Sequence, residues 1–231
     1  MNWLKRKALN FADDRNWLPH ETPDRWKWID TQDVLAPEWE YAVTPEGVVS
    51  PDSPIANSIQ EPIPFVFTFP LLSVEYCEWL IDHADKLNRW SVDKGDDYAA
   101  LEVNLTRLGW ALWNYHEQKI VGQALRGIMR GMFGWDLDVL NRAFMIRYVP
   151  EFIPSMDMHH DETSQISLSI NLNDPGCEYD GGEMVFCRQP NIGVAVPAGH
   201  AIMFGGGNPM HQHKVMPTTW GTRYSLVYWI Q

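Results

Sequence analysis

The amino-acid sequence predicts a mainly β protein with flanking helices, folded as a double-stranded β-helix, the cupin-like form of jelly roll. Three observations carry this expectation. Two upstream segments have apolar residues at helical spacing, and from residue 143 the apolar period changes from helical to two. Glycine and proline clusters at Pro175-Gly176, Gly181-Gly182 and Pro197-Ala198-Gly199 then divide the chain into many short segments. Many short alternating strands argue for an antiparallel sandwich or barrel, and a jelly roll can hold a site between its two sheets.

Taken in order, residues 1–62 form an irregular Trp-rich extension, and residues 63–231 form the main domain. Trp3, Trp17, Trp26, Trp28 and Trp39 are too many for a disordered tail and are expected to pack onto the domain. Thr44-Pro45-Glu46-Gly47 reads as a turn. The first helix carries Cys77, Leu80, Ile81, Ala84 and Leu87 on one face, with Ser73 as its N-cap. The second carries Ile120, Val121, Ala124, Leu125, Ile128, Met129 and Met132, with Gly134 as its stop. Strands are expected at Phe144–Tyr148, Ile166–Asn173, Glu183–Phe186, Gly193–Val196, Ala201–Phe204 and Thr222–Ile230. In the second of these, Ile166, Leu168, Ile170 and Leu172 alternate with Ser167, Ser169, Asn171 and Asn173, giving one apolar and one polar face.

Composition narrows the function classes. The chain has 231 residues, 45% hydrophobic and 21% charged, which is ordinary for a globular protein that needs no disulfide framework. Three cysteines without a CxxC pair argue against a zinc knuckle and for a reducing compartment. A net charge of −12 argues against a general binder of nucleic acid phosphates. No apolar run has the length of a membrane span or a signal peptide, so the expected location is cytoplasmic, with no membrane partner.

The chemistry begins at His159-His160-Asp161. On an extended segment alternate side chains share a face, so His159 and Asp161 can grip one metal together while His160 points away. About fifty residues later comes Met210-His211-Gln212-His213. A third ligand from this segment completes a set of two histidines and one carboxylate, the facial arrangement of non-haem iron oxygenases. His211 and His213 fall on the same face of an extended strand, so alternation does not choose between them. Arg223 lies ten residues after His213, on an alternating strand. A buried arginine needs a partner, and its fork suits a carboxylate; Ser225 shares its face and adds a hydrogen-bonding group. His20, His83 and His116 read as surface or helix histidines.

In order, spacing and strand context these elements resemble the iron(II)/2-oxoglutarate-dependent dioxygenase superfamily. Within it the chain is most similar to the catalytic domain of procollagen lysyl hydroxylases and their prolyl 4-hydroxylase relatives. The matching stretches are Phe69-Pro70-Leu71-Leu72-Ser73, Trp90-Ser91, Arg147-Tyr148 with Pro150, His159-His160-Asp161, Leu172-Asn173 and Tyr179-Asp180-Gly181-Gly182. They continue at His211-Gln212-His213 and at Pro217 to Tyr224. The resemblance runs from about residue 64 to the end. It implies His159, Asp161 and His213 as metal ligands, with Arg223 and Tyr148 binding 2-oxoglutarate. It implies Fe(II), 2-oxoglutarate and O2 as cofactor and co-substrates, with ascorbate beside them. An asparagine that often binds co-substrate in the family has no clean counterpart; Ser169 or Asn171 stands nearest.

The expected activity is hydroxylation of an unactivated C–H bond, with 2-oxoglutarate converted to succinate and CO2. The expected substrate is a lysyl or prolyl residue of a peptide or protein. A free amino acid, with Arg147 or Arg188 holding its carboxylate, is the alternative. A metal-binding jelly roll without oxygenase activity is a third reading, and Arg223 counts against it. Asp161 counts against a halogenase, and the acidic charge counts against a nucleic acid demethylase.

Overall fold

The computed structural model describes residues 34–40, 42, 49–92 and 100–231. The first four of the five expected extension tryptophans, and the turn at residues 44–47, lie outside the described residues. Fourteen strands are described, all pairing antiparallel: β1 (Gln60–Ile63), β2 (Val66–Pro70), β3 (Ser91–Val92), β4 (Leu101–Asn104), β5 (Leu140–Tyr148), β6 (Met156–His159) and β7 (Ile166–Asn171). There follow β8 (Tyr179–Gly181), β9 (Met184–Phe186), β10 (Gly193–Val194), β11 (His200–Phe204), β12 (His213–Val215), β13 (Thr218–Gly221) and β14 (Arg223–Ile230). They build an eight-stranded sheet in the order β1-β2-β11-β7-β14-β5-β4-β3, a four-stranded sheet β10-β9-β12-β6, and the pair β13-β8. This is the predicted jelly-roll architecture.

Alternation along the central strands sorts residues between two environments. On β5, Ala143 and Met145 enter the main core against the helices, while Phe144, Ile146 and Tyr148 face the other way with Val215. On β14, Leu226, Tyr228 and Ile230 enter the main core, and Val227 and Trp229 pack against the second cluster. Each fully buried apolar side chain of this kind contributes about 1.5–3 kcal/mol relative to exposure. The polar face expected for β7 exists, but it does not meet solvent. Every residue of Ile166–Asn171 is buried, because Ser167 and Ser169 line a cavity between the sheets.

Helix α1 (Val74–Leu87) begins as expected, with Ser73 Oγ accepting from the Tyr76 amide at 3.2 Å. It buries Tyr76, Cys77, Leu80 and Ala84. The second helical region is longer than its apolar stripe. α2 (Trp110–Tyr115) runs into a π-helical stretch, His116–Leu125, and then α3 (Arg126–Phe133), stopped at Gly134 with φ 72°. His116 is not a surface histidine. It is fully buried, held by Tyr76 Oη at 2.6 Å on Nε2 and by Tyr228 Oη on Nδ1.

The described part of the first sixty-two residues docks on the large sheet. The Ala36 amide donates to Leu71 O at 3.0 Å, the Ser73 amide to Val34 O at 2.9 Å, and Trp39 Nε1 to Pro70 O at 2.8 Å. The expected division between 62 and 63 falls inside β1.

Candidate metal centre

His159 closes β6 and His213 opens β12, and these two residues are direct register partners across the antiparallel pair. Their rings lie 4.3 Å apart. Asp161 follows just beyond β6, pinned by its amide, which donates to Gly206 O at 3.0 Å. A Cβ at Gly206 would collide with the Ser167 hydroxyl, so a glycine is needed where this loop closes on Asp161. His159, Asp161 and His213 offer ligand atoms all within 4.8 Å of one another, and they are the three-residue cluster of this kind among the described residues.

Both imidazoles are oriented the same way. His159 Nδ1 stands 2.8 Å from Asp157 O, and His213 Nδ1 stands 3.1 Å from His211 O. A carbonyl only accepts, so both Nδ1 atoms carry the proton and both Nε2 lone pairs are left for a metal. His159 Nε2 is 3.7 Å from Asp161 Oδ1. Burial pushes the His213 imidazole down to about 3, and burial pushes the Asp161 carboxyl above its usual range. Two imidazoles and a desolvated carboxylate together make a donor set that a divalent cation fits: it offsets the buried anion and takes up the two lone pairs.

Chain geometry separates His211 from His213, which alternation had placed on one face. His211 ends a 3₁₀ turn, Pro209–His211, and is not on a strand with His213. Its Nδ1 lies 3.3 Å from Gly205 O, and its ring packs edge-on against Phe186. His211 therefore stands outside the cluster.

Arg223 is 3% exposed and opens β14 opposite Tyr148 of β5. Its Nε donates to Asn171 Oδ1 at 3.2 Å, and its guanidinium carbon lies 5.1 Å from the Tyr148 ring centre. Burial raises the Tyr148 phenol above its ordinary value, partly offset by the cation beside it. Asn171, one of the two nearest stand-ins for a co-substrate asparagine, holds its amide against Asn173 O, Val196 O and Tyr179 Oη, so it braces the arginine. Gly182, at φ 74°, gives Arg223 its space: a Cβ there would come 2.6 Å from Arg223 Cδ. Arg223 Nη1, Ser225 Oγ and Thr218 Oγ1 are buried with no hydrogen-bond partner among the described residues. Two orphaned donors beside a buried guanidinium fit an anionic group such as a carboxylate.

A cavity of about 330 Å³ lies between the sheets, and His159, Asp161, His213 and Tyr148 line it. Arg223 and Ser225 are not in its lining; the Tyr148 ring is what the cavity meets at that end. Arg147 points elsewhere, toward Asp85 at 3.4 Å and over the Trp90 ring, and Arg188 is also absent from the lining. Sequence reasoning missed Glu102 and Arg142, which do line it and meet at 2.6 Å.

The sheets and the clustered side chains define a double-stranded β-helix with two histidines and one aspartate gathered at its centre. Residues 144–231 match the family model of the 2OG-Fe(II) oxygenase superfamily. The chain is similar to the human multifunctional procollagen lysine hydroxylase and glycosyltransferase LH3, at 27% identity over 95% of this chain and 30% of that protein. It is similar to human procollagen-lysine,2-oxoglutarate 5-dioxygenase 1 at 26% identity, over 74% of this chain and 24% of that one. The chain thus spans under a third of the length of these relatives. Alignment over 95% of the chain also reaches into the first sixty residues, further than the resemblance expected from residue 64. Among solved structures, the viral collagen prolyl hydroxylase of Paramecium Bursaria Chlorella virus-1 superposes with a TM-score of 0.55 at 16% identity, covering 72% of this chain and 95% of that one. A Pseudomonas putida prolyl-4-hydroxylase does so at 0.52 and 17%, covering 69% and 88%. These likenesses show the fold.

Proposed function

We propose that the protein is an Fe(II)- and 2-oxoglutarate-dependent dioxygenase that hydroxylates a C–H bond of a lysyl residue in a peptide or protein. The observation that carries this reading is the converging set His159, Asp161 and His213, all lining one cavity, with the buried, incompletely satisfied Arg223 beside Tyr148. Similarity to two human procollagen lysine hydroxylases supports the choice of lysine.

In this reading His159 Nε2, His213 Nε2 and an Asp161 oxygen hold the iron, and the carbonyls of Asp157 and His211 fix the ring orientations. Arg223 receives the far carboxylate of 2-oxoglutarate, with Ser225 and Tyr148 adding hydrogen bonds. Iron and 2-oxoglutarate, when bound, supply the oxidising chemistry that turns C–H into C–OH, with O2 consumed and succinate and CO2 released; ascorbate belongs to the same proposal. The apolar walls Phe144, Val215 and Phe204 exclude water and hold the substrate chain against the metal side. Tyr148 lines the cavity and stacks against Arg223, so the co-substrate reaches the arginine past its ring. The deciding experiment incubates lysyl and prolyl peptides, free L-lysine and free L-proline with protein, Fe(II) and 2-oxoglutarate. A gain of one oxygen on the lysyl peptide, with matching succinate, is expected. Turnover of free amino acids alone would replace the peptide reading.

A further inference from the structure

The inward face of β14 reads Arg223, Ser225, Val227, Trp229, and the register sets these against Tyr148, Ile146, Phe144 and Arg142 of β5. The face thus carries an arginine stacked on an aromatic ring at each end: Arg223 over Tyr148, and Arg142 over Trp229 at 5.0 Å. The two ends lie six residues apart along the strand, roughly 20 Å. Co-substrate chemistry accounts for the Arg223 end. Binding of iron and 2-oxoglutarate leaves the other end unused, although Glu102, Arg142 and Trp229 line the same cavity as the metal cluster.

That end is built rather than incidental. Glu102 Oε1 accepts from Arg142 Nη2 at 2.6 Å, with the carboxylate side chain 13% exposed. Arg142 is fixed from a second side by the Phe144 ring, 4.4 Å from its guanidinium carbon, and Phe144 and Trp229 meet edge to face. A lysyl side chain entering the cavity brings one ammonium into a space walled mostly by protein. A buried ammonium is costly unless a carboxylate takes it. Among the described residues three carboxylates line the cavity: Asp161, Glu162 and Glu102. Asp161 belongs to the metal cluster, and Glu162 is exposed at the rim. Glu102 is the remaining one, and a carboxylate has lone pairs enough to serve two cations. With Asp161 set aside, Glu102, Glu162 and Arg142 make the described part of the wall net negative.

We propose that Glu102 is the specificity-determining residue that takes the substrate's side-chain ammonium, with Arg142 as the positioning residue that holds its carboxylate toward the cavity. The proposal rests on the lysyl-hydroxylase reading above and names the group within the site that selects lysine.

The test measures binding and turnover separately. Under anaerobic conditions, with Fe(II) and 2-oxoglutarate loaded, calorimetry compares a lysyl peptide with the same peptide carrying norleucine, which keeps the chain length and removes the charge. The wild type is expected to prefer the lysyl peptide. Glu102→Gln should weaken lysyl binding about tenfold to a hundredfold and erase the preference over norleucine, the effect of removing a charged hydrogen-bond partner. Glu102→Asp should restore part of it, which separates loss of recognition from loss of folding. In aerobic assays the effect should fall mainly on KM. Wild-type lysyl affinity and preference in Glu102→Gln, alongside lysyl hydroxylation by the wild type, would overturn the assignment and leave the proposed function intact. Weakened binding in Arg142→Gln with no change in Glu102→Gln would assign this wall to a substrate carbonyl or carboxylate and likewise overturn it. Failure of the wild type to bind or hydroxylate lysyl peptide, with turnover of prolyl peptide, would overturn both readings together.

Discussion

Replacing a single metal-facing side chain separates the roles that cluster around His213. His159→Ala, Asp161→Ala and His213→Ala should each lose stoichiometric Fe(II) binding, measured by metal analysis after desalting, and with it turnover, because two ligands cannot hold a facial site. His211→Ala should keep the iron, since that ring packs on Phe186 outside the cluster. Retention of iron by His213→Ala would sink the assignment. Arg223→Ala should raise the 2-oxoglutarate concentration needed by roughly a hundredfold or more, in line with about 3–5 kcal/mol for breaking a buried charge pair, with iron binding kept. Arg223→Lys should recover part of this, because it restores charge but not the fork. Gly182→Ala should imitate the arginine loss, because its methyl group would take the space of Arg223 Cδ at a backbone angle that favours glycine. A Gly182→Ala protein with ordinary 2-oxoglutarate dependence would show that the arginine can move aside. That His159 and Asp161 meet a histidine of the segment 211–213 was legible from residue type and spacing, whereas the choice of His213 within that segment came from the family resemblance. The bracing by Asn171 and the space left by Gly182 were not, since the first depends on β7 pairing with β14 and the second on where the loop after β8 lies.

Among whole elements, the helical layer makes its own prediction through His116. Burial pushes this imidazole down to about 3, whereas an exposed histidine titrates near 6.5. As pH falls, the unfolded chain takes up the proton first. The stability this group contributes is therefore fully present above the ordinary value and is lost as pH falls from about 6.5 toward 3. Urea midpoints measured from about pH 7 down to about pH 4 should decline, and His116→Leu should flatten that decline. The variant should also lose about 1–3 kcal/mol for each of the Tyr76 and Tyr228 hydroxyls left without its partner. An unaltered slope would show that other groups carry it. The apolar stripe Ile120–Met132 made this helix legible, but not its π-helical centre or its buried histidine. A polar residue on the helix reads as exposed unless the tyrosines that receive it are known, and these come from α1 and from β14. For the same reason the pairing of Glu102 with Arg142 was not legible. It follows from β4 joining β5 in a particular register, which alternation alone does not encode.

For the molecule as a whole, the metal cluster concentrates cost. Asp161 is buried beside His213, whose imidazole burial pushes down to about 3, so in the metal-free protein the carboxylate's charge is poorly compensated. A divalent cation that binds only the folded form should raise the melting temperature in proportion to the logarithm of its concentration. Asp161→Asn should melt higher than the metal-free wild type, by about 1 kcal/mol or more, and should no longer respond to metal. Differential scanning calorimetry with and without Fe(II) under anaerobic conditions reads both effects; a lower melting point for the metal-free Asn variant would refute the argument. No helix among the described residues is long and apolar enough to cross a membrane.

The order of strands in the large sheet bears on how the chain is made. β14 sits at its centre, between β7 and β5, yet it follows every other described strand in the sequence. As the polypeptide leaves the ribosome, β5 and β7 emerge with the slot between them vacant, each with a hydrogen-bonding edge turned toward a strand not yet synthesised. The sheet closes only when Arg223–Ile230 arrives to fill that slot, and the same event seats Arg223 beside Tyr148. A nascent chain stalled before this point holds His159, Asp161 and His213 but lacks the strand that completes the sheet behind them.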